Sequence, residues 1–218
     1  MRMAGNTKMP PPLERNPQRT RERILSAAFK EFAAHGFHGA RVDNIARRAR
    51  INKRMLYHYF GDKENLFKAV LRHKIAERRA WAANLSNDPA ERLPFWFVTM
   101  CKDAGWVRLL EWEALQNNSG KVIDEEERRA SSLDWLERLR ERQKRGELSD
   151  EFDVRHLALA MQSLIMFPIA FPQLTRLLMG KSVFDVKFQK ERAEFLKKFA
   201  AVFRSQKERV KINFKKKS

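Results

Sequence analysis

Residues 42–60 leave the chain very little conformational choice. In Val42-Asp43-Asn44-Ile45-Ala46-Arg47-Arg48-Ala49 the apolar residues Val42, Ile45, Ala46 and Ala49 fall on one face of a short helix. Arg50-Ile51-Asn52 then breaks the pattern. Asn52 is a good N-cap for a second helix, Lys53–Phe60, in which Leu56 and Phe60 lie four apart. Gly61-Asp62 stops that helix. Two short helices with a turn of about four residues make a helix-turn-helix. The first helix braces the unit and the second presents its outer face to a partner. That outer face carries Lys53, Arg54, Tyr57 and His58, while Leu56 and Phe60 face inward.

The segments around this unit are helical as well. Ile24, Leu25, Ala28, Phe29 and Phe32 form one apolar stripe, with Thr20 as the expected N-cap and His35-Gly36 as the expected stop. A long helix starts at Lys63, capped by Asp62, and is expected to run to about Asn84 through Leu66, Phe67, Val70, Leu71 and Ile75. Beyond Pro89 no strand alternation is visible. Five helices are expected, near 89–104, 106–118, 122–145, 153–167 and 186–204. Breaks are expected at Gly105, Ser119-Gly120 and Gly146, and at Pro168 and Pro172 in the region 168–185. The fold class is therefore all-α. It divides into a disordered basic, proline-rich arm at 1–17, a helix-turn-helix domain at 18–64, a helical domain at 65–204, and a basic tail at 205–218. The helix over 63–84 joins the two domains rigidly.

Charge separates these parts. The chain of 218 residues has a formal net charge of +18. Residues 1–84 carry +12, residues 85–203 carry none, and residues 204–218 carry +6. A basic module joined to a neutral one points to a polyanion-binding domain attached to something else. The lone Cys101 excludes an internal disulfide and fits a reducing compartment. No run of about 18 apolar residues is present, so no membrane span is expected. The five histidines lack metal-ligand spacing with cysteines or carboxylates. Neither a glycine-rich phosphate loop nor a nucleophile elbow occurs. No enzyme, metal site or cofactor is expected.

The residues themselves are more specific than their spacing. Gly36-Phe37, Val42, Ile45-Ala46, Ala49, Lys53, Leu56-Tyr57-His58-Tyr59-Phe60, and Lys63-Glu64 with Leu66 resemble the DNA-binding region of the tetracycline-repressor (TetR) family in order and spacing. The resemblance covers about residues 20–75. It implies a cytoplasmic, nucleoid-associated homodimer that binds a palindromic operator and is released by a small-molecule effector. It also implies that Lys53, Tyr57, His58 and Lys63 contact double-stranded DNA. Lys53 can reach a phosphate or a guanine edge, and Lys63 lies at a helix N-terminus that favours anions. Tyr59 is a further candidate, although it is only three residues from Leu56 and can equally pack.

The sequence departs from the family at four places. Ala40-Arg41 stands where hydroxyl residues are common, so the side-chain cap of the first short helix is missing, and Arg41 replaces its phosphate contact only by charge. Arg50 stands where glycine is usual, which implies either left-handed strain of roughly 1–2 kcal/mol or a different turn. Arg54 and Met55 replace small residues on the reading helix. Arg54 can pair bidentately with guanine and Met55 can meet a thymine methyl. Arg15, Arg19, Arg21 and Arg23, ahead of the first helix, are candidate phosphate or minor-groove contacts.

In the C-terminal half, large apolar side chains are core or pocket. The resemblance implies an effector site lined by some of Phe97, Met100, Cys101, Trp112, Trp135, Met161 and Ile165. It also implies dimerisation through the helices near 153–167 and 186–204, using Leu157, Met161, Leu164 and Ile165 with Phe188, Phe195, Leu196, Phe199, Val202 and Phe203. Two other classes fit the composition: an architectural DNA binder without a small-molecule switch, and a ligand-binding or catalytic protein that keeps a vestigial DNA domain.

Overall fold

A computed structural model describes residues 16–83, 85, 88–116 and 122–205. Among these the elements are α1 (Pro17–Gly39), α2 (Val42–Ala49), α3 (Lys53–Phe60), α4 (Lys63–Ala83), α5 (Pro89–Lys102), α6 (Ala104–Gln116), α7 (Glu125–Lys144), α8 (Val154–Ala170), α9 (Pro172–Met179) and α10 (Val186–Phe199). A 3-10 turn, Ala200–Phe203, follows α10.

The first helix starts earlier than its stripe indicates. Asn16, not Thr20, is the N-cap, accepting from the Arg19 backbone N–H, with Pro17 at the first helical position. The expected stop at Gly36 is real in the backbone, because Gly36 has φ 68 and ψ −179 inside the run. That backbone lets the Trp112 ring of α6 sit directly on the glycine, where an added Cβ would lie 2.7 Å from Trp112 Cδ2. Trp112, expected in the effector pocket, is instead part of the seam between the two halves of the chain. Gly105 works the same seam, since a Cβ there would lie 2.9 Å from the Phe29 ring of α1. It does not break the chain: α6 starts at Ala104, and the break falls at Asp103.

The core of the N-terminal domain follows the stripes. Ile24, Leu25, Ala28 and Phe32 of α1 meet Ile45, Ala49, Leu56 and Leu66, all buried. The C-terminal domain is built around α5, which packs against both α8 and α10. Phe97 of α5 and Phe188 of α10 meet edge to face with ring centroids 6.3 Å apart.

The expected interruption at residues 168–185 is only partly right. Pro168 lies inside α8, and Pro172 opens an extra helix, α9. Proline removes one backbone donor, here the N–H that would bond Leu164 four residues back. Arg192 of α10 supplies the replacement, donating from Nη2 to the Leu164 carbonyl at 3.0 Å. Pro172 sits where a helix needs no backbone donor, which is why it starts α9.

Candidate nucleic-acid interface and effector cavity

The turn of the helix-turn-helix is strained and tied down. Arg50 has φ 55 and ψ 48, so a non-glycine residue holds the left-handed position. Arg23 explains how it is kept. Its guanidinium donates to the carbonyls of Ala49 and Arg50, satisfying acceptors that the end of α2 leaves open. Arg23 is therefore a clamp on the turn rather than a phosphate contact. Arg21 lies over the Phe60 ring at 5.4 Å, Arg19 is exposed, and Arg15 lies outside the described residues.

The start of α2 solves its missing cap from a distance. Arg41 makes no side-chain cap, and the buried Glu31 of α1 takes its place. Glu31 Oε1 accepts from the Arg41 backbone N–H at 3.2 Å and from Asn44 Nδ2 at 3.0 Å. Burial pushes the Glu31 pKa up. The hydrogen bonds from Asn44 and Arg41 and the charges of His35 and Arg48 outweigh it, and the net shift is downward. Glu31 is a residue the sequence reading missed. Its signal was an acid three residues beyond Ala28, in the middle of the apolar stripe.

On α3, Leu56 and Phe60 are buried, while Lys53, Arg54, Met55, Tyr57 and His58 are exposed on the outer face. Asn52 caps the helix, accepting from the Met55 backbone N–H at 2.7 Å. Arg41 is exposed at the N-terminus of α2. Lys53 Nζ lies 3.1 Å from Asp43 of α2, and that contact raises its pKa. Two expected members of this face are turned inward. Tyr59 is half-buried against the core beside Phe60. Lys63 is half-buried, donates to the His38 carbonyl at 3.3 Å and lies 5.0 Å above the Phe37 ring. Burial lowers its pKa. Lys63 thus pins α4 to the end of α1.

A cavity of about 840 Å³ lies between α4, α5, α6, α7 and α8. From α4 it is lined by Ile75, Arg78, Arg79 and Ala82. From α5 come Arg92, Leu93, Trp96 and Met100, from α6 Trp106 and Leu110, from α7 Arg128, Trp135 and Arg138 among others, and from α8 Met161 and Gln162. Of the expected lining residues it contains Met100, Trp135 and Met161. Phe97 and Cys101 are displaced by helix geometry. Leu93, Trp96 and Met100 form the stripe of α5 that faces the cavity, whereas Phe97 meets Phe188 and Cys101 Sγ approaches the Val183 carbonyl. Burial pushes the Cys101 thiol up to about 12, so it is inert as a nucleophile. Ile165 is buried in the core without lining the cavity, and Trp112 is at the seam with α1.

Much of the expected dimer surface is also consumed inside one chain. Leu157, Met161, Ile165, Phe188, Leu196 and Phe203 are buried in the protomer. Leu159, Phe167, Val186, Phe195 and Val202 stay exposed on α8, α10 and the following turn, and Leu174, Leu177, Leu178 and Met179 on α9. Among the described residues, no single helix is long and apolar enough to cross a membrane.

Comparisons with known proteins agree with this architecture. Residues 24–70 match the model of bacterial regulatory proteins of the tetR family, and residues 96–204 match that of tetracyclin repressor-like C-terminal domains. The chain is 32% identical over 170 residues to the HTH-type transcriptional repressor SCO4008 of Streptomyces coelicolor, covering 76% of this chain and 86% of that protein. It is 47% identical over 73 residues to the HTH-type transcriptional repressor NicS of Pseudomonas putida, covering 34% of each. Among solved structures, the putative transcriptional regulator SCO4942 of Streptomyces coelicolor superposes with a TM-score of 0.69 at 26% identity, covering 84% of this chain and 98% of that one. FadR of Bacillus subtilis, solved with stearoyl-CoA, shares the fold at 20% identity with a TM-score of 0.59, over 80% of this chain and 96% of that one. With its helix-turn-helix and its helical C-terminal domain, this chain belongs to the TetR family of DNA-binding transcriptional regulators.

Proposed function

We propose that the protein is a homodimeric repressor that binds a palindromic operator through α3 and releases it when a small molecule enters the cavity. Arg41, Lys53, Arg54, Met55, Tyr57 and His58 make the DNA contacts. Tyr59 and Lys63 support that face from behind. The exposed apolar residues of α8 and α10 form the dimer contact, with α9 beside them. The observation that carries this reading is the double role of α4. Its first turn is pinned by Lys63 to the end of α1, the helix that packs against α2 in the DNA-binding domain, and its later turns supply Ile75, Arg78, Arg79 and Ala82 to the cavity wall. A molecule that displaces those turns moves both reading helices of a dimer, whose half-sites lie about 34–36 Å apart.

The test is DNA binding with and without a cavity ligand. A compound found by its rise in melting temperature is titrated into the operator complex, followed by fluorescence anisotropy. DNA affinity is expected to fall by about 5–150-fold, the usual range of allosteric coupling. A compound that fills the cavity and leaves operator affinity unchanged rejects the switch and favours an architectural DNA binder.

A further inference from the structure

The cavity wall carries many charges, and they answer one another. Glu127 of α7 takes Arg79 of α4, with Oε1 2.8 Å from Nη1, and its backbone carbonyl accepts from the same guanidinium at 3.0 Å. Asp134 Oδ2 lies 2.7 Å from Arg138 Nη2 within α7. Arg128 is held by the buried Glu113 at 2.8 Å. Arg78 is held by Asp103 at 2.9 Å, and Lys74, which shares that carboxylate, also lies 2.7 Å from Glu77. Arg92 has a partner as well. The wall therefore presents ion pairs. An anionic guest would have to draw an arginine from its carboxylate, and a cationic guest a carboxylate from its arginine. Either exchange trades one pair for another while the guest still gives up its own hydration, so charge on the guest is a net cost. An uncharged guest breaks no pair.

The uncharged part of the wall decides what such a guest would touch. Trp106 is buried, and the Arg78 guanidinium already sits 4.3 Å from its ring centroid. Trp96 of α5 and Trp135 of α7 line the cavity half-buried, with ring surface left for an aromatic guest. Leu93, Met100 and Met161 add apolar surface, the methionines being the most adaptable part of it. The volume lies in the range of roughly 300–1,000 Å³ that holds drug-sized ligands. Apart from the tryptophans, the uncharged polar side chains of the wall are Ser131, Ser132 and Gln162. Ser131 Oγ donates to the Glu127 carbonyl at 3.1 Å and Ser132 Oγ to the Arg128 carbonyl at 3.0 Å, so both hydroxyl protons are spent inside α7. Gln162 of α8 is different. Its Nε2 donates to Met166 Sδ at 2.9 Å, and the amide makes no other hydrogen bond among the described residues. A thioether is a weak acceptor, and a glutamine amide has a second N–H and a carbonyl to offer.

We infer that the effector is an uncharged, mainly aromatic molecule that lies among the tryptophans, with a neutral polar group, an amide, carbonyl or hydroxyl, read by Gln162. This rests on the ligand-site reading above and specifies its chemistry.

A set of dansyl probes separates the claims. Dansylglycinamide, dansylglycine and dansylethylenediamine share one aromatic body and are neutral, anionic and cationic. Dansylpropylamine is neutral and lacks the terminal amide. Each is titrated into the full-length protein, with energy transfer from tryptophan as the readout. Ala82→Phe, which fills the cavity from α4, marks the binding that belongs to this site. Dansylglycinamide is expected to bind at least about tenfold more tightly than either charged probe at the Ala82-sensitive site. Gln162→Leu is expected to weaken dansylglycinamide by about 2–10-fold and to leave dansylpropylamine unchanged. A charged probe that binds as tightly as dansylglycinamide overturns the inference and leaves the ligand site standing. An equal loss for dansylglycinamide and dansylpropylamine in Gln162→Leu overturns the role of Gln162. If Gln162→Leu does not fold, Gln162→Met gives the same comparison, and the wild-type protein still decides the question of charge. If none of the probes shows saturable, Ala82-sensitive binding, the ligand-site reading falls with the inference.

Discussion

Replacing Gly36 with alanine tests the seam between the DNA-binding and effector halves. The glycine has φ 68 and ψ −179, a region that residues with a Cβ essentially never occupy. Forcing such a residue there costs about 1–3 kcal/mol. The new Cβ would also lie 2.7 and 2.8 Å from Cδ2 and Cε3 of Trp112. That ring is part of a helix-to-helix contact and cannot swing aside as a flexible tail would. Overpacking of this kind costs a further ~1–3 kcal/mol. A mid-range loss of about 4 kcal/mol corresponds to a fall in melting temperature of roughly 8–16 °C for a chain of this size. The assay is thermal and urea unfolding at fixed protein concentration, because a dimer's stability depends on concentration. The steric and backbone parts separate in a double-mutant cycle with Trp112→Ala. Without the ring the cost of Gly36→Ala should drop to the backbone part alone, a coupling of about 1–3 kcal/mol. If Gly36→Ala costs less than about 1 kcal/mol, or if the cycle shows no coupling, the account of this seam is wrong.

Three further outcomes follow from the same geometry. Arg50→Gly should stabilise the protein by about 0.5–1 kcal/mol, since it relieves left-handed strain and keeps the carbonyls that Arg23 grips; destabilisation would mean the Arg50 side chain matters more than its backbone. Glu31→Ala should cost about 1–3 kcal/mol by leaving the Arg41 N–H and the Asn44 amide without their acceptor. Because the folded pKa of Glu31 lies below the ordinary 4.5, its contribution is present above that pH and is lost as the pH falls through the depressed value. A pH titration of stability in which wild type and Glu31→Ala converge under acid conditions supports this, and a constant difference contradicts it. Leu159→Glu with Phe195→Glu, both on exposed positions, should yield a folded monomer by light scattering; a dimer unchanged by the pair moves the interface elsewhere, with α9 next in line.

How much of this was legible in the sequence depends on how local the cause was. The helices α2 and α3 were readable to the residue because Asn52, Arg50 and the Leu56–Phe60 pair act within a few positions of themselves. The exposed face of α3 followed from the same periodicity. Long-range substitutions were hidden. Nothing near Pro168 announces that Arg192 will replace its missing hydrogen bond, so the helix through it read as a break. Nothing near Arg41 announces Glu31 as the cap. Arg23 and Lys63 read as free cations because their carbonyl partners lie 25 or more positions away in the chain. The pocket was half legible for a geometric reason. Of the α5 residues expected there, Phe97, Met100 and Cys101, only Met100 lines the cavity, because periodicity alone does not say which of two neighbouring stripes faces the cavity and which faces α10.

The central claim is sequence-specific DNA recognition by the exposed face of α3, and one experiment tests it most directly. The full-length protein is used to select from random duplexes at fixed salt, in parallel with Arg54→Ala, and the recovered sites are measured against shuffled DNA. The account predicts a palindrome with half-sites about one helical turn apart, bound at least ~10³-fold more tightly than shuffled DNA. It also predicts a guanine in each half-site whose preference Arg54→Ala relaxes, at a cost of about 1–3 kcal/mol. Recovery of no common sequence, or an Arg54→Ala protein that loses affinity equally for all duplexes, would contradict it.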